Sequence, residues 1–153
     1  MRRAPLALVA ALLCASPAAA GEMHYSNPRF GTSVSFPAEI FSRASIPPAN
    51  GDGMTWFSAD GASLAVFGGY NVLAQSPRDL IGEAAAPGVT ITYSRAGEDW
   101  AVVSGTEDED IFYRRSEFGA DDVIHTLVLR YPARLKAKYD RLVGPIAAIL
   151  DGP

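Results

Sequence analysis

Two histidines, His24 and His125, are the residues of this 153-residue chain best suited to proton transfer near neutral pH. Two acidic pairs, Glu98-Asp99 and Asp121-Asp122, are the ones best suited to hold a divalent cation through carboxylate oxygens. Asn50-Gly51-Asp52-Gly53 invites a calcium reading, but a calcium loop needs oxygen ligands at alternate positions and a distal glutamate, and Asp52 stands almost alone. That segment reads better as a turn whose Asn and Asp bond their own backbone. A serine nucleophile would need a Gly-x-Ser-x-Gly elbow between a strand and a helix; Val103-Ser104-Gly105 has neither the pattern nor the context. The acidic pairs could in principle act as the two carboxylates of a glycosidase, but nothing in the spacing sets their separation. No cofactor motif is present, and none is expected.

The elements that would position these residues begin with a leader. Arg2 and Arg3, an apolar run through Leu13, and Ala18-Ala19-Ala20 before Gly21 make a secretory signal peptide over residues 1–20, cleaved near Ala20-Gly21. The run is too short for a spanning helix. Leu12 and Leu13 before Cys14 do not suit a lipidation site. Cys14 is the one cysteine, so the exported chain has no disulfide, thiolate ligand or thiol nucleophile. Losing Arg2 and Arg3 leaves eleven of the 13 basic residues against 17 acidic ones, a formal charge of −6. Such a surface repels nucleic acid and anionic lipid. Residues 21–153 are expected to form one domain, periplasmic or secreted, with no transmembrane segment.

Strand-like runs are read at 32–36, 54–58, 62–70, 89–96, 100–106, 110–118 and 122–131. Asp60-Gly61 marks a tight turn, and Gly68-Gly69 a bulge or a close backbone approach. Val89, Ile91 and Tyr93 are expected on one strand face. Ser76-Pro77-Arg78-Asp79 is a helix start with cap and first-turn proline, and Leu80, Ile81, Ala84 and Ala85 would be its buried side before Pro87 stops it after about three turns. Leu135, Tyr139, Leu142, Ile146 and Ile149 form the apolar stripe of a closing helix, which Pro145 either kinks or delimits. The last four strands have links short enough only for antiparallel neighbours, so Glu98-Asp99 and Asp121-Asp122 should share one end of the sheet. The fold class is α+β: an antiparallel sheet of about seven to eight strands with two helices packed on it.

Tyr25-Ser26-Asn27-Pro28-Arg29-Phe30-Gly31, Val34-Ser35-Phe36-Pro37, Asn50-Gly51-Asp52-Gly53 and Gly69-Tyr70-Asn71 resemble the layout of uncharacterised exported proteobacterial proteins of the PsbP/Mog-like α/β/α sandwich class. The resemblance spans nearly all of residues 21–153 and carries no catalytic motif. It implies a non-enzymatic accessory or assembly module that binds an envelope protein partner. The expected contact residues are Asn50, Asp52, Trp56, Tyr70 and Asn71, with Glu98, Asp99, Asp121 and Asp122 as the candidate metal set. Two alternatives stand beside it. One is a small-ligand carrier with a pocket between sheet and helix, lined by residues such as Trp100, Tyr113 and Leu142. The other is an envelope enzyme or divalent-metal protein using the acidic turns and His125. Whether helices cover one sheet face or both decides how many aromatic residues are free to bind.

Overall fold

The computed structural model describes residues 21–153, so the leader read at residues 1–20 lies outside the described residues. The described chain runs β1 (Glu22–Ser26), β2 (Ser33–Pro37), β3 (Arg43–Ala44), β4 (Gly53–Phe57), β5 (Ser63–Tyr70), α1 (Pro77–Glu83), β6 (Val89–Ala96), β7 (Trp100–Glu107), β8 (Asp110–Phe118), β9 (Val123–Pro132) and α2 (Lys136–Ala147). Seven strands make one antiparallel sheet in the order β3-β4-β5-β9-β8-β7-β6, and β1 and β2 pair as a separate two-stranded hairpin. This is the expected α+β layout, with the meander β6–β7–β8–β9 folded back so that β9 pairs with β5.

Side chains alternate across the sheet, so each strand feeds two faces. On one face Trp56, Leu64, Val66, Leu127, Leu129 and Tyr131 pack under α2 and the β1–β2 hairpin, which supply Val34, Phe36, Tyr139 and Ile146, with Leu150 added from the segment after α2. Aromatic pairs knit this layer: Phe36 and Trp56 have centroids 4.8 Å apart, and Tyr131 stacks on Tyr139 at 5.2 Å. Such pairs add about 1 kcal/mol each beyond the area they bury. The β4–β5 turn is pinned to the same helix. Asp60 accepts from Ser58 Oγ at 2.7 Å, Lys138 Nζ at 2.5 Å and Tyr139 Oη at 2.5 Å. These donors, Lys138 foremost, hold the Asp60 carboxyl well below the usual carboxylate range.

The opposite face is covered at the other side of the sheet, by α1 against β6 and β7, with Leu80 as its buried residue. Its start is as read. Ser76 Oγ accepts from Asp79 N, and the Asp79 carboxylate accepts from Ser76 N, which completes a capping box. The helix ends at Glu83, earlier than expected, and Ala85 stays exposed. Helices therefore cover both faces, each over a different half.

Two more expectations meet corrections. The strand at residues 22–26 and the short β3 carry no strong alternation and stand beside the strand runs read from the sequence. A bulge between Ile91 and Tyr93 inserts Thr92, so Ile91 pairs with Gly105 and Tyr93 with Ser104, on opposite faces. Gly105 permits that bulge, since a Cβ there would sit 2.1 Å from Thr90 O. Of the two readings of Pro145 the delimiting one is not met, since α2 runs through it to Ala147. Gly68 marks a close approach, because a Cβ there would stand 2.6 Å from Phe30 Cβ and Thr32 Oγ1.

Candidate functional site

Five connections meet at one end of the sheet: the β1–β2 turn, the loop before β4, the β5–α1 loop and the β6–β7 and β8–β9 turns. Asn27, 2% exposed, organises the first two. Its Oδ1 accepts from the backbone of Arg29 at 3.0 Å and Phe30 at 2.8 Å, and its Nδ2 donates to Gly51 O at 2.9 Å. Arg29 Nη1 donates to Asn50 O at 2.5 Å, and Asn50 Nδ2 to Asp52 Oδ2 at 2.7 Å. Asp52 O accepts from Gly68 N at 2.9 Å, which ties the loop to β5.

The β5–α1 loop stands beside this corner. The Phe30 ring meets Tyr70 edge-on at 5.2 Å, and Tyr70 is 58% exposed. Asn71 then clasps the loop: its Oδ1 accepts from Gln75 N at 2.8 Å and its Nδ2 donates to Gln75 O at 2.9 Å. Asn71 N also donates to Asp122 O at 2.6 Å. Inside the clasp Val72 and Leu73 are 84% and 73% exposed. Ala74 closes it at φ 49°, a left-handed conformation that a non-glycine residue holds only where its surroundings impose it. A water-facing pair of large apolar side chains is thus held by specific bonds, not left on a loose tip.

The acidic β8–β9 turn borders this loop, and the acidic β6–β7 turn lies further along the same end of the sheet. Asp121 and Asp122 both have φ 56°, a conformation aspartate tolerates better than most side chains. Asp99 O accepts from Phe118 N at 2.8 Å, so the β6–β7 turn lies against the end of β8. All four carboxylate residues Glu98, Asp99, Asp121 and Asp122 are exposed. As a metal set they are incomplete: among the described residues no three His, Cys, Asp or Glu side chains come together as ligands.

The expected contact set divides. Asn50, Asp52, Tyr70 and Asn71 gather at this end. Trp56 does not: it is 4% exposed, in edge contact with Tyr25 and tilted against Phe36, each at 4.8 Å. A residue on the core face of β4 has no outlet to a partner, so Trp56 is corrected to a core residue. Val72 and Leu73 were missed because two apolar residues between Asn71 and the helix cap carry no periodic signal.

His125 is also no catalytic group in this geometry. It is 1% exposed, its Nδ1 lies 2.8 Å from Thr32 Oγ1, and its Nε2 has no hydrogen-bond partner. Added Cβ atoms at Gly119 and Gly152 would fall 2.5 Å and 2.3 Å from the ring. His24 is exposed, with Nδ1 3.2 Å from Ser35 Oγ.

A cavity of about 460 Å³ opens between α2 and the β6–β8 strands, lined by Tyr93, Tyr113, Ile111, Tyr131 and Val143, with the Lys136–Asp140 ion pair at its rim. Of the expected pocket residues Tyr113 lines it. Trp100 instead lies within cation–π reach of Arg95 at 5.8 Å and Arg115 at 5.4 Å, and Leu142 borders a groove beside the β1–β2 hairpin.

No family model matches this chain, and no curated protein matches it. Among solved structures, the solution structure of cyanobacterial PsbP (CyanoP) from Synechocystis sp. PCC 6803 is similar, with a TM-score of 0.64. The two share 11% sequence identity, over 92% of this chain and 97% of that one. The likeness is one of fold, and it agrees with the PsbP-like sandwich expected from the layout. No described helix is long and apolar enough to cross a membrane.

Proposed function

We propose that this chain is a non-enzymatic binding module of the cell envelope, exported by the leader at residues 1–20 and engaging a protein partner with the loop end of its sheet. One observation carries the reading: Tyr70, Val72 and Leu73 are exposed large apolar residues close together in sequence, on and beside a loop held by the Asn71 clasp. Exposed apolar patches rimmed by polar groups mark interaction sites. The rim here is acidic, with Asp122 bonded through its backbone carbonyl to Asn71 of the loop and Asp121 beside it in the chain. The partner it fits is a protein surface with an apolar centre and basic residues around it. The PsbP-like fold agrees with an accessory role, although fold alone does not fix function.

The test is crosslinking of the exported chain in its native envelope, with mass spectrometry of what is captured. Val72→Asp with Leu73→Asp should leave the melting temperature unchanged and abolish the dominant crosslink. An identical capture profile from wild type and the double variant would sink the proposal.

A second reading, a small-ligand carrier, rests on the 460 Å³ cavity beside α2, whose Tyr93 and Tyr113 rings would flank a flat ligand. Its test is thermal shift against a metabolite panel, with Tyr113→Ala expected to erase any shift found.

A further inference from the structure

On the face opposite α2, β8 presents Arg114 into a pocket of about 260 Å³. Its walls are Ala84 and Ala86 beyond α1, Val89 on β6, Phe112 on β8 and Val128 on β9, with Arg130 and Glu107 at one side. Arg114 is paired in register with Val103 and Val128, so its immediate strand neighbours offer it no polar atom. Its Nε is shielded from water and has no hydrogen-bond partner. It makes no ion pair among the described residues. The carboxylates around it are committed elsewhere. Glu107 pairs with Arg130, which also lies 3.9 Å from Asp110, and Glu83 accepts from Gln75. Glu83 reaches Arg114 only through its field.

An uncompensated, partly desolvated guanidinium is costly, and a fold removes such a cost by pairing the charge. Burial already pulls the Arg114 pKa below its ordinary value, the signature of a charge short of partners. The contrast is one residue away. Arg115 points to the other face, pairs with Glu117 at 2.5 Å and stacks on Trp100. The chemistry of the pocket names what would complete it. A planar guanidinium fork matches a planar carboxylate with two parallel hydrogen bonds. Alanine, valine and phenylalanine walls match an apolar body. With a net charge of −4 on the whole chain, an anion is drawn here by this local site and not by the surface at large.

We propose that the Arg114 pocket between α1 and strands β6–β9 binds a small organic monocarboxylate with an apolar body, independently of the protein partner at the loop end.

The test is NMR titration of the folded exported chain, following the Arg114 Nε–Hε resonance and the Val89 and Val128 methyls, with benzoate, benzyl alcohol and inorganic phosphate as probes. Benzoate should shift these signals together and saturably, at least tenfold more tightly than either other probe. Arg114→Met should remove the benzoate response without lowering the melting temperature, since the charge it deletes has no partner to lose. Arg114→Lys, which keeps the charge but not the fork, should weaken benzoate about tenfold. Equal responses to benzoate and phosphate would overturn the apolar-body assignment. No saturable benzoate response, or one that survives Arg114→Met, would overturn the site.

Discussion

Arg114 and Arg115 are neighbours in sequence, yet they sit on opposite faces of β8, and those two faces are finished to different degrees. The face under α2 is closed by a twelve-residue helix, a hairpin and five aromatic contacts, and its turn at Asp60 is bonded to the helix that covers it. The face under α1 is closed by a seven-residue helix with one buried side chain, and it leaves a guanidinium without a partner. The same sheet thus offers a packed side that supplies stability and a thin side with room for something else. Covering is set by which connection carries the longer amphipathic helix, not by the strands, whose alternation feeds both faces alike.

That contrast can be broken by truncation. Trp56→Ala, on the α2 face, is expected to lower stability by about 4 kcal/mol, whereas Leu80→Ala, the single buried anchor of α1, is expected to lower it by roughly 2–3 kcal/mol. Urea unfolding measures both, and a reversed order would remove the distinction between the faces. Gly152→Ala is next, at about 2 kcal/mol, because its methyl would meet the boxed ring of His125 at 2.3 Å. The α2 face is sharpened by pH. Asp60→Asn should cost about 1–2 kcal/mol at neutral pH, since it loses charge-assisted bonds at a half-exposed site. The native Asp60 carboxyl takes up a proton less readily than the unfolded one. Its contribution is therefore complete above the unfolded value of about 4 and drains away as pH falls below it. The gap between wild type and Asp60→Asn should close in acid; a constant gap down to low pH would contradict the pinning role. Ser76→Ala should remove about 1 kcal/mol by uncapping α1, seen as a small drop in melting temperature.

The layout was legible where local chemistry and periodicity agree. Ser76, Pro77 and Asp79 announce a capped helix, and the 89–131 stretch announces a meander, because each strand is followed by a turn too short for any other pairing. The loop end was legible in part, since Asn50, Asp52, Tyr70 and Asn71 are residue types that turns and interfaces favour. Trp56 was misplaced because alternation says that Trp56 and Phe57 face opposite ways but not which way the core lies. Tyr93 was misplaced because one bulged residue inverts everything after it. Arg114 gave no signal at all: its meaning comes from lacking a carboxylate across β7 and β9, which only the register reveals.

The bridge between Ser33 and Asp151 deserves a kinetic reading. Ser33 N donates to Asp151 O at 2.8 Å and Asp151 N to Ser33 O at 3.1 Å, across 118 intervening peptide links. Closing so long a loop is favourable only after the strands between them have assembled, so this seam zips last on the way in and opens first on the way out. Gly152 packs directly on the His125 ring, so the chamber around that ring is closed only once this seam has formed. A lesion at Gly152 should then accelerate unfolding while leaving the folding rate nearly untouched, and the lifetime of the folded protein would be governed by how often this seam breathes.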